Sequence, residues 1–189
     1  MLRFNKTLHS GVIPINNSYI SPGRNVSSSA VITGNTLFYA PIRISTYCRI
    51  IEMGVDVTSI ATFAQKMVIG IYEFDILTGD PSTLIGQTSE IDLGTVGVGL
   101  KSQPIALDLD PGVYYIVSHC EDGSVRATLR TFSAVDYATY PLAAATGTSN
   151  VIGRSVVSAY SATLPNPAPP STTNITGTMV NTKLKVQAR

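Results

Sequence analysis

The sequence predicts an all-β chain: an antiparallel β-sandwich, jelly roll by preference, with an extended N-terminal arm. Three observations carry this. Apolar residues alternate over 49–57, 105–109, 125–130 and 180–186. Turn signals recur at roughly the 8–12-residue spacing of sandwich proteins. No stretch sustains a helical period. The jelly roll is preferred because the last alternating strand must return from a long excursion to rejoin a sheet.

Taken in order, residues 1–30 read as an arm and 31–189 as the sandwich domain. In the arm, Phe4, Leu8, Val12, Ile13 and Ile15 are broken by Pro14, Asn16-Asn17 and Pro22-Gly23. That is too apolar for a solvated tail and too interrupted for a core element, so it should lie on its own sandwich or on a neighbour. Thr33-Gly34-Asn35 then turns into a strand over 37–44, in which Pro41 implies an edge or a bulge. Residues 48–58 alternate, with Ile51, Met53, Val55 and Val57 inward and Glu52, Gly54 and Asp56 outward. Residues 66–74 are apolar on both sides and should be central. A turn at 77–81, a weaker strand over 84–93 and a glycine-rich link over 94–99 follow.

The stretch Leu107-Asp108-Leu109-Asp110-Pro111-Gly112-Val113-Tyr114-Tyr115-Ile116-Val117 reads as a hairpin. Ile105, Leu107 and Leu109 share a face, and Pro111-Gly112 suits a type II turn with positive φ at the glycine. Residues 113–117, with β formers on both faces, should be a central covered strand. A strand over 125–132 follows, with Val125, Ala127 and Leu129 inward. Residues 134–164 are ambiguous, and 165–178 form a Pro/Thr-rich connection. The closing strand, 179–187, sets Val180, Thr182, Leu184 and Val186 against Asn181, Lys183, Lys185 and Gln187.

Charged residues make up only 13% of the 189 residues and the net charge is +1. A surface poor in charge and rich in hydroxyls suits repeated protein contacts, although the turns of a small β domain demand the same residues. All twelve acids lie between Glu52 and Asp136; that middle carries −8 against +9 on the two flanks. Either the basic flanks dock on an acidic neighbour, or first and last strands pair beside acidic ones and the charges cancel within the fold. No apolar run follows the basic N-terminal residues, and none approaches the length of a membrane span, so neither export nor membrane association is expected. Cys48 and Cys120 could meet across a sheet; without an export signal they read as two buried free thiols.

No constellation for catalysis, metal or cofactor binding emerges, and the chain reads as non-enzymatic. His119, Cys120, Glu121 and Asp122 are adjacent, but successive strand residues face opposite ways and cannot converge on one ion. Asp108 and Asp110 share a strand face, where solvated charge is the simpler reading than acid–base work. Gly94, Gly97 and Gly99 lack the helix and Gly-Lys-Ser/Thr of a phosphate loop. Basic residues do not interleave with aromatics, which argues against a nucleic-acid groove.

The succession of elements resembles small bacteriophage virion proteins. The segments are LFYAPIRI (37–44), IGIYEFD (69–75), TGDPSTLIGQT (78–88), LDLDPGVYYIVS (107–118), SAYSATLP (158–165) and a closing basic strand (183–186). The resemblance implies a head decoration (cement) protein binding the major capsid protein or another virion protein. It implies a homo-oligomer, with trimers favoured, residing in the virion after assembly in the host cytoplasm. It carries no catalytic residues. The long arm departs from the pattern, leaving attachment through Phe4, Leu8, Val12, Ile13 and Ile15 or through the sandwich open. The other reading is a tail-fibre, baseplate or carbohydrate-binding module, for which Tyr137, Tyr140 and Tyr160 would be the glycan platform.

Overall fold

The structure is a computed structural model and describes residues 17–22, 28–95, 97–123, 126–133, 151–170 and 173–188. No helix occurs among them. The strands are β1 (Tyr19–Ile20), β2 (Ser28–Val31), β3 (Thr36–Ile44), β4 (Cys48–Ser59), β5 (Lys66–Phe74), β6 (Pro81–Gln87) and β7 (Ile91–Asp92). They continue with β8 (Gly99–Leu109), β9 (Gly112–Cys120), β10 (Thr128–Ser133), β11 (Gly153–Val157), β12 (Thr173–Ile175), β13 (Thr178–Val180) and β14 (Lys183–Ala188).

All pairings are antiparallel and form two seven-stranded sheets. In the first, β2 pairs with β10, β10 with β4, and β4 with β8. In the second, β3, β9, β5 and β6 lie side by side. Strands β2 to β6 and β8 to β10 thus follow a jelly-roll path, two four-stranded layers wound from successive crossings. The remaining strands extend these layers. β14 lies along β4 on the side that β10 takes at Val57 and Ser59, and β1 lies along β14. β13 joins β10, β7 joins β5, and β11 with β12 extends the second sheet beyond β3.

The main core lies between the layers. Ile42, Ile44, Met67, Ile69, Ile71 and Ile116 of the second sheet face Ile50, Met53, Val55, Leu129, Leu184 and Val186 of the first. Cys48 and Cys120 are free and buried in this core, and burial pushes the Cys120 thiol up to about 12. β5 and β9 are interior, as two apolar faces require. The described part of the expected arm belongs to the sandwich: Tyr19 and Ile20 pair with Lys185 and Leu184, and Ser28 to Ala30 pair with β10. Phe4, Leu8, Val12, Ile13 and Ile15 lie outside the described residues.

Four local expectations are corrected. Ile50, not Ile51, faces the core. Ile50 pairs with Val186 and Glu52 with Lys185, so β4 carries one extra residue there. This bulge shifts the inward set from Cys48 and Ile50 to Met53, Val55 and Val57. The Leu107–Val117 stretch is not a hairpin, because β8 and β9 belong to different sheets. Gly112 has no positive φ, unlike Gly79 at 73°. The closing alternation serves two strands, broken at the buried pair Asn181-Thr182, where the Asn181 amide donates to the Arg130 carbonyl. Residues 151–164, left ambiguous, supply β11.

Pro41 lies inside β3, but β11 reaches only as far as Tyr39. At Pro41 the strand has β9 alone beside it, so the missing N–H costs no ladder bond on that side. β8 exposes the longest outer edge, and Pro104 together with a register shift between Ile50 and Glu52 breaks its regularity. Both features blunt edge-to-edge pairing.

The bulge is testable. Ile50→Ala should lower unfolding stability by about 2–5 kcal/mol and Ile51→Ala by clearly less; equal losses in denaturant titrations would place the bulge elsewhere. At the β8–β9 corner, the Tyr114 hydroxyl donates to the Asp110 carbonyl at 2.8 Å. Tyr114→Phe should therefore cost about 1 kcal/mol by the same measurement, the net worth of one hydrogen bond.

Candidate interaction surfaces

The outer face of the first sheet is polar and internally paired. Glu52 on β4 accepts hydrogen bonds from the Tyr19 hydroxyl at 2.9 Å and from the Ser102 hydroxyl. It also pairs with Lys185 at 3.3 Å. Two residues along β14, Lys183 meets Asp56, and at the far end Arg49 forms a two-point bond with Asp108 at 2.9 and 2.6 Å. On the second sheet Arg154 pairs with Asp80 at 2.7 Å. Four bases of the acid-free flanks, Arg49, Arg154, Lys183 and Lys185, thus pair with acids of the middle segment. For these four bases, charge separated along the sequence is cancelled in space: β14 lies beside β4, β4 lies beside β8, and Arg154 of β11 reaches Asp80 just before β6.

The outer face of the second sheet is apolar and covered. Tyr39, Tyr72 and Tyr115 meet edge-on, with Tyr39 5.5 and 6.2 Å from its two partners, and Phe74 stacks on Tyr115. The Tyr115 hydroxyl donates to the Gly79 carbonyl at 2.7 Å and the Tyr72 hydroxyl to the Pro165 carbonyl at 2.5 Å. Burial pushes both phenols up to about 12, so they stay neutral donors. Residues 158–168 lie over this layer as a strap, and Leu164 packs among the tyrosines.

One end of the sandwich is open. The β5–β6 turn leaves Ile76 76% and Leu77 91% exposed. Asp75 holds that turn by accepting from the Leu77 amide at 2.8 Å and the Thr78 hydroxyl at 3.0 Å. These residues, with Glu73, Phe74, Val113 and Tyr114, line a shallow groove of about 580 Å³. Among the described residues Val157 at 84%, Val98 at 65% and Val31 at 58% are further exposed apolar side chains. Sequence reading missed Ile76 and Leu77, although two large apolar residues before a Thr-Gly-Asp-Pro turn were a visible signal.

Of the sequence-predicted platform, Tyr137 and Tyr140 lie outside the described residues. Tyr160 is half-buried in the strap: its hydroxyl donates to Glu90 at 2.9 Å and its ring lies 5.2 Å from that of His119. His119 faces outward beneath the strap while Cys120 faces the core, so the two point apart as expected. Asp108 is engaged by Arg49, and Asp110 is exposed. Among the described residues no group of three or more His, Cys, Asp and Glu could hold a metal ion.

Glu52 supplies a pH test. The Ser102 hydroxyl foremost, then Tyr19 and Lys185, hold its carboxyl below the ordinary range, against an opposing effect of burial. A depressed carboxyl contributes stability above its unfolded pKa of about 4.3 and loses it as pH falls through the folded value. Thermal melts should therefore show Glu52→Gln less stable than the parent at neutral pH, with the gap closing below about pH 4; a constant gap would contradict the assignment.

Comparison of the chain with protein-family models, with curated proteins and with solved structures finds no match.

Proposed function

We propose that the chain is a non-enzymatic virion structural protein, first of all a capsid decoration (cement) protein that binds the major capsid protein or another virion protein as a homo-oligomer, with a trimer favoured. The observation that carries this reading is where exposure falls. The sandwich pairs much of its charge within itself and leaves Ile76, Leu77 and Val157 in water. A surface poor in free charge with protruding apolar side chains is suited to contacts made by apolar burial, at about 25 cal/mol per Å². The resemblance in element order to small phage virion proteins supports the same reading. The alternative, a tail-fibre, baseplate or carbohydrate-binding module, draws less support from Tyr160, whose hydroxyl and ring are engaged inside the fold.

The test is co-sedimentation of the purified chain with heads assembled from the major capsid protein of the same phage, alongside its oligomeric state by sedimentation velocity. A truncation probing the arm should stop at residue 16, because Tyr19–Ile20 and Ser28–Val31 are sheet strands. Apolar attachment predicts binding that persists as salt rises from about 0.1 to 1 M, where screening shortens from about 10 to 3 Å. It also predicts loss of binding on removing residues 1–16 or on Leu77→Asp. A monomer without affinity for heads would refute the proposal, and glycan-array binding abolished by Tyr137→Ala or Tyr140→Ala would favour the alternative.

A further inference from the structure

The strap over the second sheet begins at one last backbone bond beyond the β11–β3 ladder and is held thereafter mainly by side chains. The Ser158 amide donates to the Asn35 carbonyl at 2.9 Å and the Tyr160 amide to Asn35 Oδ1 at 3.0 Å. The Gln87 side chain donates to the Ala162 carbonyl at 2.8 Å and accepts from the Leu164 amide at 2.7 Å. Asn35, at φ 52°, is placed for this by the turn before β3. Under the first of these anchors sits His119, only 1% exposed.

His119 Nε2 lies 3.1 Å from the Ser158 carbonyl oxygen. A carbonyl can only accept, so Nε2 carries the proton, and the neutral ring is the tautomer with Nδ1 bare. Nδ1 is buried and has no hydrogen-bond partner. A second proton could enter only at Nδ1, placing an unmatched N–H and a positive charge in a site closed by Tyr160.

We propose that His119 is an acid-sensitive latch: neutral, it holds residues 158–164 closed over the second sheet, and its protonation loosens that segment. The groups around the ring are few. β3 contributes apolar Leu37 opposite His119, and β5 contributes Val68. The strap contributes Tyr160, whose hydroxyl is turned to Glu90. On its own strand Cys120 faces the core and Glu121 follows two residues on. Lys66, across from Glu121, is directed to Asp92 at 3.5 Å. Glu90 and Glu121 are the nearby anions favouring the charged ring, yet neither bonds Nδ1.

The sign follows from burial, which pushes the imidazole below its ordinary value of 6.5, opposed by the Ser158 carbonyl. An opened strap returns the ring to water, where it takes a proton near 6.5. Closure is therefore complete above about pH 6.5 and weakens below it, by at most about tenfold in the closed-to-open ratio per pH unit, until the closed form itself protonates.

The test is residue-resolved amide hydrogen exchange on the full chain at about pH 7.5 and 5, with rates normalised to intrinsic exchange. Protection at the Ser158 and Tyr160 amides should fall by up to about tenfold per pH unit below 6.5, while β5 and β9 amides hold. His119→Gln keeps a donor for the Ser158 carbonyl but cannot titrate, and should abolish the pH dependence. The parent chain gives a second readout that needs no variant, since His9 and His119 are the two histidines and their ring signals can be followed by NMR. A His119 signal titrating below 6.5 in step with strap protection supports the latch. A strap equally protected at both pH values, a drop retained in His119→Gln, or a ring titrating at or above 6.5 overturns it.

Discussion

The structure depends on one change of direction. Between Leu109 and Tyr114 the chain leaves the first sheet and enters the second, and it must do so without breaking the core on either side. Pro111 stiffens the corner, and the Tyr114 hydroxyl ties back to the Asp110 carbonyl four residues upstream, as in the tyrosine corner of other sandwiches. Because successive strand residues face opposite ways, the same corner sets two tyrosines in two environments. Tyr114 packs against the core between the sheets, and Tyr115 stands in the aromatic layer outside. The strand leaving the corner has strong β formers on both faces because both of its faces are covered.

The same winding decides what becomes of the charge. A jelly roll places strands distant in sequence side by side, so basic ends and an acidic middle are brought into register. Lys185 opposite Glu52, and Arg49 opposite Asp108, are ladder neighbours, and each base finds a carboxylate across the strand boundary. Exposed pairs of this kind contribute little to stability. Their consequence is electrostatic: the charges of Arg49, Arg154, Lys183 and Lys185 are each met by a carboxylate of the middle segment.

The fold class was legible because period-two alternation is a direct image of a face against a core, and β4, β8, β10 and β14 all display it. What was not legible had specific physical causes. In Arg49-Ile50-Ile51-Glu52 two adjacent isoleucines make a one-residue bulge invisible, since either could face in. The run 179–187 kept a continuous alternation although the chain switches partners from β10 to β4 within it. β11 was missed because Val156 and Val157 are adjacent and give no period, and β12 because three residues are too few to show one. His119 was read correctly as facing away from Cys120. Its environment could not be read, because the residues closing over it come from a loop about 40 positions later with no periodic signal of its own.

That loop explains why a sandwich can carry an apolar outer face at all. In a two-layer fold the outer faces meet water and should read as polar, which the first sheet obeys with Glu52, Lys183 and Lys185. The second sheet breaks the rule with Tyr39, Val68, Tyr72, Tyr115 and Val117, and the strap makes this tolerable by acting as a third layer. Apart from the backbone bonds of Ser158 to Asn35 and Ala168 to Ser82, it is fastened through side chains of Asn35, Gln87 and Asn166 and through the Tyr72 hydroxyl. Cover of that kind adds no strand to the eight beneath it. The covering layer is thus joined to the sandwich in two ways, by a few hydrogen-bonded anchors and by the burial of Leu164 among the tyrosines.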